Sequence, residues 1–281
     1  MQLEMGMLMP TGYRVRHDSS TFWGTLELIY HQTVYEVRKK HRNPLIGLII
    51  NIAQTLLMLA GFYVMMSVLR MRDGWLPGDF VLYLLSGIFI FFTHIKAMAA
   101  VSSAIGPTSP MALHRPLNTL VVIGAAALAA LYLQIVSLIV VLFLYHALIT
   151  PVQIHNPIGV AFMFILAWFT GLGVGMIFYA LKVWFPNLTM MMSSVYSRVN
   201  MIASGKMFLG NSLPAAALPL FVWNPLFHII DQARGCMFIN YSPRNSSWEY
   251  PLFAGICLLM LSFMILSQAR RYASISRSAA R

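Results

Sequence analysis

Acidic side chains are scarce in this chain: Glu4, Asp18, Glu27, Glu36, Asp73, Asp79, Asp231 and Glu249 are all 8 of them, against 19 Lys and Arg. None falls in the middle of a long apolar run. A carrier coupled to protons or sodium ordinarily needs a carboxylate at membrane depth, so that class loses ground. Cysteine is nearly absent too. Cys236 and Cys257 have neither metal nor redox spacing, and a single pair builds no disulfide framework. His94, His146 and His228 are isolated and match no HExxH-like spacing, which argues against a membrane metalloenzyme. Gly205-Lys206 lacks the other glycine and the hydroxyl of a phosphate-binding loop. No polar stretch is long enough for a nucleotidase domain. No signal peptide is expected, because the first long apolar run begins only at Leu45. If this chain transports, its energy comes from another polypeptide.

What the chain has is hydrophobic length. Of 281 residues 59% are hydrophobic and 10% charged, with mean hydropathy +0.72, whereas soluble domains are about a quarter charged. That composition predicts an all-α integral membrane protein. Apolar runs near 45–69, 80–103, 117–149, 157–185, 188–208 and 250–269 predict six spans. The formal net charge is +11, and its placement fits topology better than nucleic-acid binding. Arg14, Arg16, Arg38, Lys39, Lys40 and Arg42 precede the first span, while Arg270, Arg271, Arg277 and Arg281 follow or close the last. Both termini are therefore expected in the cytoplasm. The chain divides into an N-terminal part (1–44), a membrane domain (45–271) and a tail (272–281).

Ahead of the first span, Phe22, Leu26, Ile29, Tyr30, Thr33 and Val37 share one helical face, which predicts an amphipathic interface helix with Asp18, Ser19 or Ser20 as its cap. Between the fifth and last spans the stretch 204–238 is apolar yet broken by Pro214, Pro219 and Pro225. Irregular backbone at membrane depth survives only where protein or a water-filled cavity satisfies it, so residues 204–249 read as a re-entrant and outer segment. Within it 204–220 dips into the membrane, and Trp223 to Arg234 starts an outer helix. Arg198 falls mid-span, where a cation costs about 2.5–3.5 kcal/mol on insertion scales. It is a candidate conduit residue with Lys206 and Tyr196, a packing role remaining open. Lys96 is expected to snorkel to the cytoplasmic surface. Asp231 and Arg234 are spaced to pair. Gly171, Gly173 and Gly175 read as a close-packing helix face. The loop 106–116 is a candidate docking turn for a soluble partner.

The block Trp223-Asn224-Pro225-Leu226-Phe227-His228-Ile229-Ile230 with Arg234, the turn His114-Arg115-Pro116-Leu117 and the basic run Arg38 to Arg42 together resemble the ABC-2 type permeases that export polysaccharide, particularly the capsular branch. The likeness extends from about Thr21 to Arg271. It departs at the start of the first span, Pro44-Leu45-Ile46-Gly47, where the family often has a Trp-containing aromatic cluster. The resemblance implies the ABC-2 exporter fold: a homodimeric channel in a bacterial inner membrane, itself without enzymatic activity or cofactor. ATP and magnesium would be bound by a separate ATPase subunit. Phe22, Leu26, Ile29, Tyr30, Met111, His114 and Arg115 would touch that ATPase. Arg38, Lys39, Lys40 and Arg42 would guide a phosphate-bearing lipid end into the inner mouth. A periplasmic co-polymerase and outer-membrane export proteins would complete the path of a lipid-linked acidic glycan. An exporter of lipid, teichoic-acid-like polymer or drug, and a non-transporting scaffold, stay as rivals.

Overall fold

The computed structural model describes residues 22–39, 44–68, 79–105 and 118–279. Its helices are α1 (Phe22–Lys39), α2 (Pro44–Val68), α3 (Phe80–Ser102), α4 (Thr119–Leu148), α5 (Pro157–Leu181), α6 (Pro186–Ala203), α7 (Pro219–Val222), α8 (Pro225–Met237) and α9 (Glu249–Ala279). A short 3-10 turn, Gly210–Ser212, interrupts the segment between α6 and α7. No strand occurs among the described residues. Among the described residues, α5 and α8 open on an Asn-Pro pair that explains where they begin. Asn156 and Asn224 accept hydrogen bonds from Gly159 N and Leu226 N, while Pro157 and Pro225 occupy a first turn that has no use for their missing N–H.

Five helices, α2, α3, α4, α5 and α9, are long and apolar enough to cross a membrane. The chain is an all-α, multi-pass membrane protein. The expected fifth span, 188–208, differs from expectation: it is helical only over Pro186–Ala203 and is not one of those five. Asn187, Ser193, Ser194, Ser197, Arg198 and Asn200 within 18 residues lower its hydropathy.

The core is built around α3, which is buried over 72% of its 18-residue apolar stretch, whereas the corresponding stretch of α2 is buried over 17% and lies at the periphery. The contact between α3 and α5 depends on missing side chains. A Cβ on Gly171 would sit 2.4 Å from His94 O, and one on Gly175 would sit 2.8 Å from Met98 O. The two glycines thus place one helix directly on the backbone of the other, one turn apart. Gly173 turns to α9, where its Cβ would lie 3.0 Å from Leu258 Cβ.

The two ends of the bundle follow from these contacts. At the upper end Asp79, Asn156 and Met237 gather, with Tyr63 against Phe80 and Trp248 against Phe162. At the lower end Val101, Val122, Tyr179, Ala180, Leu266 and Ala269 form one apolar cluster, with Trp184 against Tyr272. α2 enters at the lower end and α9 finishes there. α6 leaves the lower end after Phe185, and the chain beyond it packs on Gly87, in the upper third of α3. Amphipathic α1 lies chiefly against α4. Leu26 and Tyr30 are exposed on it, and Ile29, Thr33 and Val37 are half-buried.

Alanine at Gly171 should lower the melting temperature of the detergent-solubilised protein, since the Cβ meets rigid backbone; overpacking of this kind costs about 1–3 kcal/mol. Alanine at Gly124, where nothing lies within 4 Å of the added Cβ, should leave it unchanged or raise it. Scanning fluorimetry of both variants checks the contrast.

Candidate functional site

Helix α8 was expected to start at the outer surface. Instead Leu226, Ile229, Ile230 and Ala233 pack with Ile90 and Phe91 of α3 and Met163, Leu166 and Ala167 of α5. Its far end meets the start of α5, where Asn156 N donates to Cys236 O at 2.8 Å and His155 N to Met237 O at 3.1 Å. The block Trp223 to Arg234 is thus largely embedded, although Trp223 itself is exposed.

The embedded position has a clear use. Arg234 is 1% exposed, and its guanidinium donates to three carbonyls of the segment after α6. Nη1 reaches Gly205 O at 3.1 Å and Phe208 O at 2.6 Å, and Nη2 reaches Lys206 O at 2.6 Å. Its Cζ lies 4.1 Å from the centroid of the Tyr83 ring. Gly205 takes a φ of +69°, which favours glycine, and a Cβ there would collide with Phe227 at 2.6 Å. Gly87 permits the approach from the α3 side: its Cβ would stand 2.9 Å from Arg234 Nη2 and 3.0 Å from Lys206 Cβ.

Asp231 and Arg234 do not pair, contrary to the spacing argument. Asp231 turns to the next stretch of the same segment and accepts from Gly210 N at 3.2 Å, from Ser246 Oγ at 2.7 Å and from the Tyr241 hydroxyl. Burial, and then the adjacent Asp231 carboxylate, raise the Tyr241 phenol well above its usual range, so it remains a donor. Asn224 adds a third tie, donating to Ala203 O at 2.9 Å and Asn200 Oδ1 at 3.0 Å. His228 adds a fourth: Nε2 donates to Val222 O at 2.7 Å, which leaves Nδ1 to accept from Ser247 N at 3.0 Å.

Comparison with protein-family models and with curated proteins finds no match for this chain.

The three candidate conduit residues are not brought together. Arg198 is exposed on α6. Tyr196 faces inward and donates from its hydroxyl to His94 Nε2 at 2.8 Å; His94 Nδ1 lies 3.2 Å from the Ala167 carbonyl, which can only accept. Lys206 is 1% exposed, with Nζ 3.3 Å from the centroid of Phe91 and 5.4 Å from that of Phe62. Its Nζ has no hydrogen-bond partner. Lys96 does not snorkel as expected. It donates to Asn51 Oδ1 and lies over the Phe92 ring, while Asn51 Nδ2 faces Gln134 Oε1 at 2.6 Å and Ser137 Oγ at 2.5 Å. This polar clasp joins α2, α3 and α4 inside the bundle, and sequence reasoning missed it. Its only signal was Asn51 and Gln134 inside otherwise apolar spans.

Of the proposed contact residues, Leu26, Ile29, Tyr30, Arg38 and Lys39 lie on α1, which Phe22 opens; Arg38 and Lys39 are exposed. Lys40, Arg42, Met111, His114 and Arg115 lie outside the described residues, as do the candidate caps Asp18, Ser19 and Ser20. A cavity of about 330 Å³ opens between α3, α4 and α5 near the upper end. Ser86 is the polar residue lining it, and its hydroxyl already donates to Tyr83 O at 2.7 Å. Among the described residues no cluster of His, Cys, Asp or Glu could hold a metal ion.

Arg234→Leu would leave Lys206 O and Phe208 O without a donor, each costing on the order of 1–3 kcal/mol, and would leave Gly205 O only its bond from Phe208 N. We expect it to lose the monodisperse peak in detergent size-exclusion chromatography, with Arg234→Lys intermediate. An Arg234→Leu protein that melts like the parent would refute the clamp.

Proposed function

We propose that the chain is the membrane subunit of an ATP-driven exporter of polysaccharide, working as a homodimer with a separate ATPase that binds ATP and magnesium. The observation that carries this reading is the largely non-helical segment 204–218, whose first part, 204–210, is embedded and held by side chains inside a bundle with no carboxylate in the middle of its apolar spans. Such backbone belongs beside a conduit. The one embedded acid among the described residues, Asp231, is occupied by Gly210 N, Ser246 Oγ and the Tyr241 hydroxyl rather than open to an ion path, so in this reading the driving force comes from outside the chain.

In this reading α6 is the sixth crossing. Its 18 residues give about 27 Å at 1.5 Å per residue, and it leads from the lower end of the bundle toward the upper. A sixth crossing also puts both basic ends of the chain on the cytoplasmic side of a bacterial inner membrane, as the positive-inside rule requires. Exposed Ser194 and Arg198 on α6 suit a second copy or a polar lumen better than lipid. The two copies would enclose the path, and α1 and the loop 106–116 would receive the ATPase stroke. A lipid-linked glycan is the favoured cargo. The rival reading is a scaffold that recruits a soluble partner and moves nothing.

Purification in mild detergent from the native host should retain an ATPase in equal numbers. Arg198→Leu in the host should cause polymer to accumulate in the cytoplasm, seen by glycan staining of fractionated cells. A lone monomer with no ATPase would sink the exporter reading. Unchanged export in Arg198→Leu, combined with loss of function on altering 106–116, would favour the scaffold.

A further inference from the structure

The Lys206 ammonium is enclosed by two phenyl rings and has neither a hydrogen-bond acceptor nor a carboxylate within ion-pair distance. The ion pairs among the described residues join other groups, Glu27 with His31 and Glu36 with Lys39. A buried cation with no counter-charge is costly, and ring faces offset only part of that cost. We propose that Lys206 is an anion-recognition residue behind a movable wall: the upper half of α2 swings away from α3, and the uncovered ammonium then meets the acidic groups of the polymer in transit. Passage of the polymer rests on the exporter reading; the binding of a polyanion does not.

The packing decides which side moves. The backbone that carries Lys206 is fixed by Arg234, and the stretch after it by Asp231 at Gly210 and by Asn211, whose Nδ2 donates to Ser242 O at 2.8 Å. Phe91 belongs to α3, the most buried span. The remaining ring, Phe62, belongs to α2, the least buried span. α2 is fastened at its lower half by Asn51 to α4 and to Lys96. Its upper half meets α3 and the segment through Met58, Leu59, Phe62 and the Tyr63–Phe80 ring pair. Motion about Asn51 therefore removes the Phe62 wall without breaking the Arg234 clamp. Lys206 extends from Gly87 toward Phe91, one turn along α3, so the uncovered charge would face the α2–α3 seam. A polymer carrying carboxylate or phosphate groups supplies the missing counter-charge, and a neutral polymer does not.

The test uses the full-length protein in detergent micelles, with dextran sulfate as the anionic probe and dextran as the neutral one. Masking lowers apparent affinity by the fraction of molecules that are open. Phe62→Ala should therefore bind dextran sulfate about tenfold more tightly than the parent, a change of about 1.4 kcal/mol. Phe62→Ala combined with Lys206→Met should fall back to the parent value, and dextran should not distinguish the variants. Lys206→Met alone should melt at or above the parent temperature, because it removes an uncompensated buried charge. Should Phe62→Ala fail to fold, Phe62→Leu replaces it with the same expected order. A gain in affinity that survives Lys206→Met, no gain in the folded Phe62 variant, or a lowered melting temperature for Lys206→Met would each overturn the proposal. Absence of an ATPase on purification removes the exporter reading and leaves the dextran sulfate result standing. A failed dextran sulfate result removes Lys206's role and leaves that reading intact.

Discussion

The structure depends most on the hydrogen bonds that Arg234 makes to Gly205, Lys206 and Phe208. Backbone that leaves helical geometry inside a membrane protein strands its carbonyls, and with no water available a side chain must serve them. Arginine suits the task because its rigid fork of donors reaches several acceptors at once and never loses its charge. The guanidinium is itself accommodated by the Tyr83 ring face and by the absent side chain at Gly87. Removing any of these parts leaves the others with an unmatched polar group or a collision.

Around that clamp the bundle divides into a rigid body and attached parts. α3, α5 and α8 are joined by glycine contacts and by buried apolar residues of all three helices. α6 is largely exposed; hydrogen bonds from Tyr196 to His94 and from Asn224 to Asn200 tie it to that body. α2 is attached by the Asn51 clasp below and by apolar rings above. An arrangement with one firm core and two lightly held helices suits a protein whose work is to open and close. It also explains why cations are tolerated inside the fold. Arg234 rests on Tyr83, Lys206 on Phe91 and Lys96 on Phe92, so each meets the negative face of an α3 ring.

The sequence by itself determined the class, because hydropathy over some twenty residues is a one-dimensional property that needs no partner. It placed five spans within a few residues, marked the α5 glycines as a packing face and set apart 204–238 as unable to form a simple span. The stretch 188–208, expected as a span, forms the shorter helix α6, whose polar residues keep it from qualifying by hydropathy. Only the tertiary structure decided where the polar side chains went. Asp231 and Arg234 sit three residues apart on one helix, yet each finds better partners in the broken segment. Lys96 was expected at the surface, but Asn51 of another helix captures it. The depth of α8 was hidden for the same reason: its apolar face suits a surface helix and a core helix equally, and only the gap between α3 and α5 shows which it is. Chain composition sets how much must be buried, whereas contacts between residues far apart in sequence set which charge is satisfied and which, like Lys206, is left waiting.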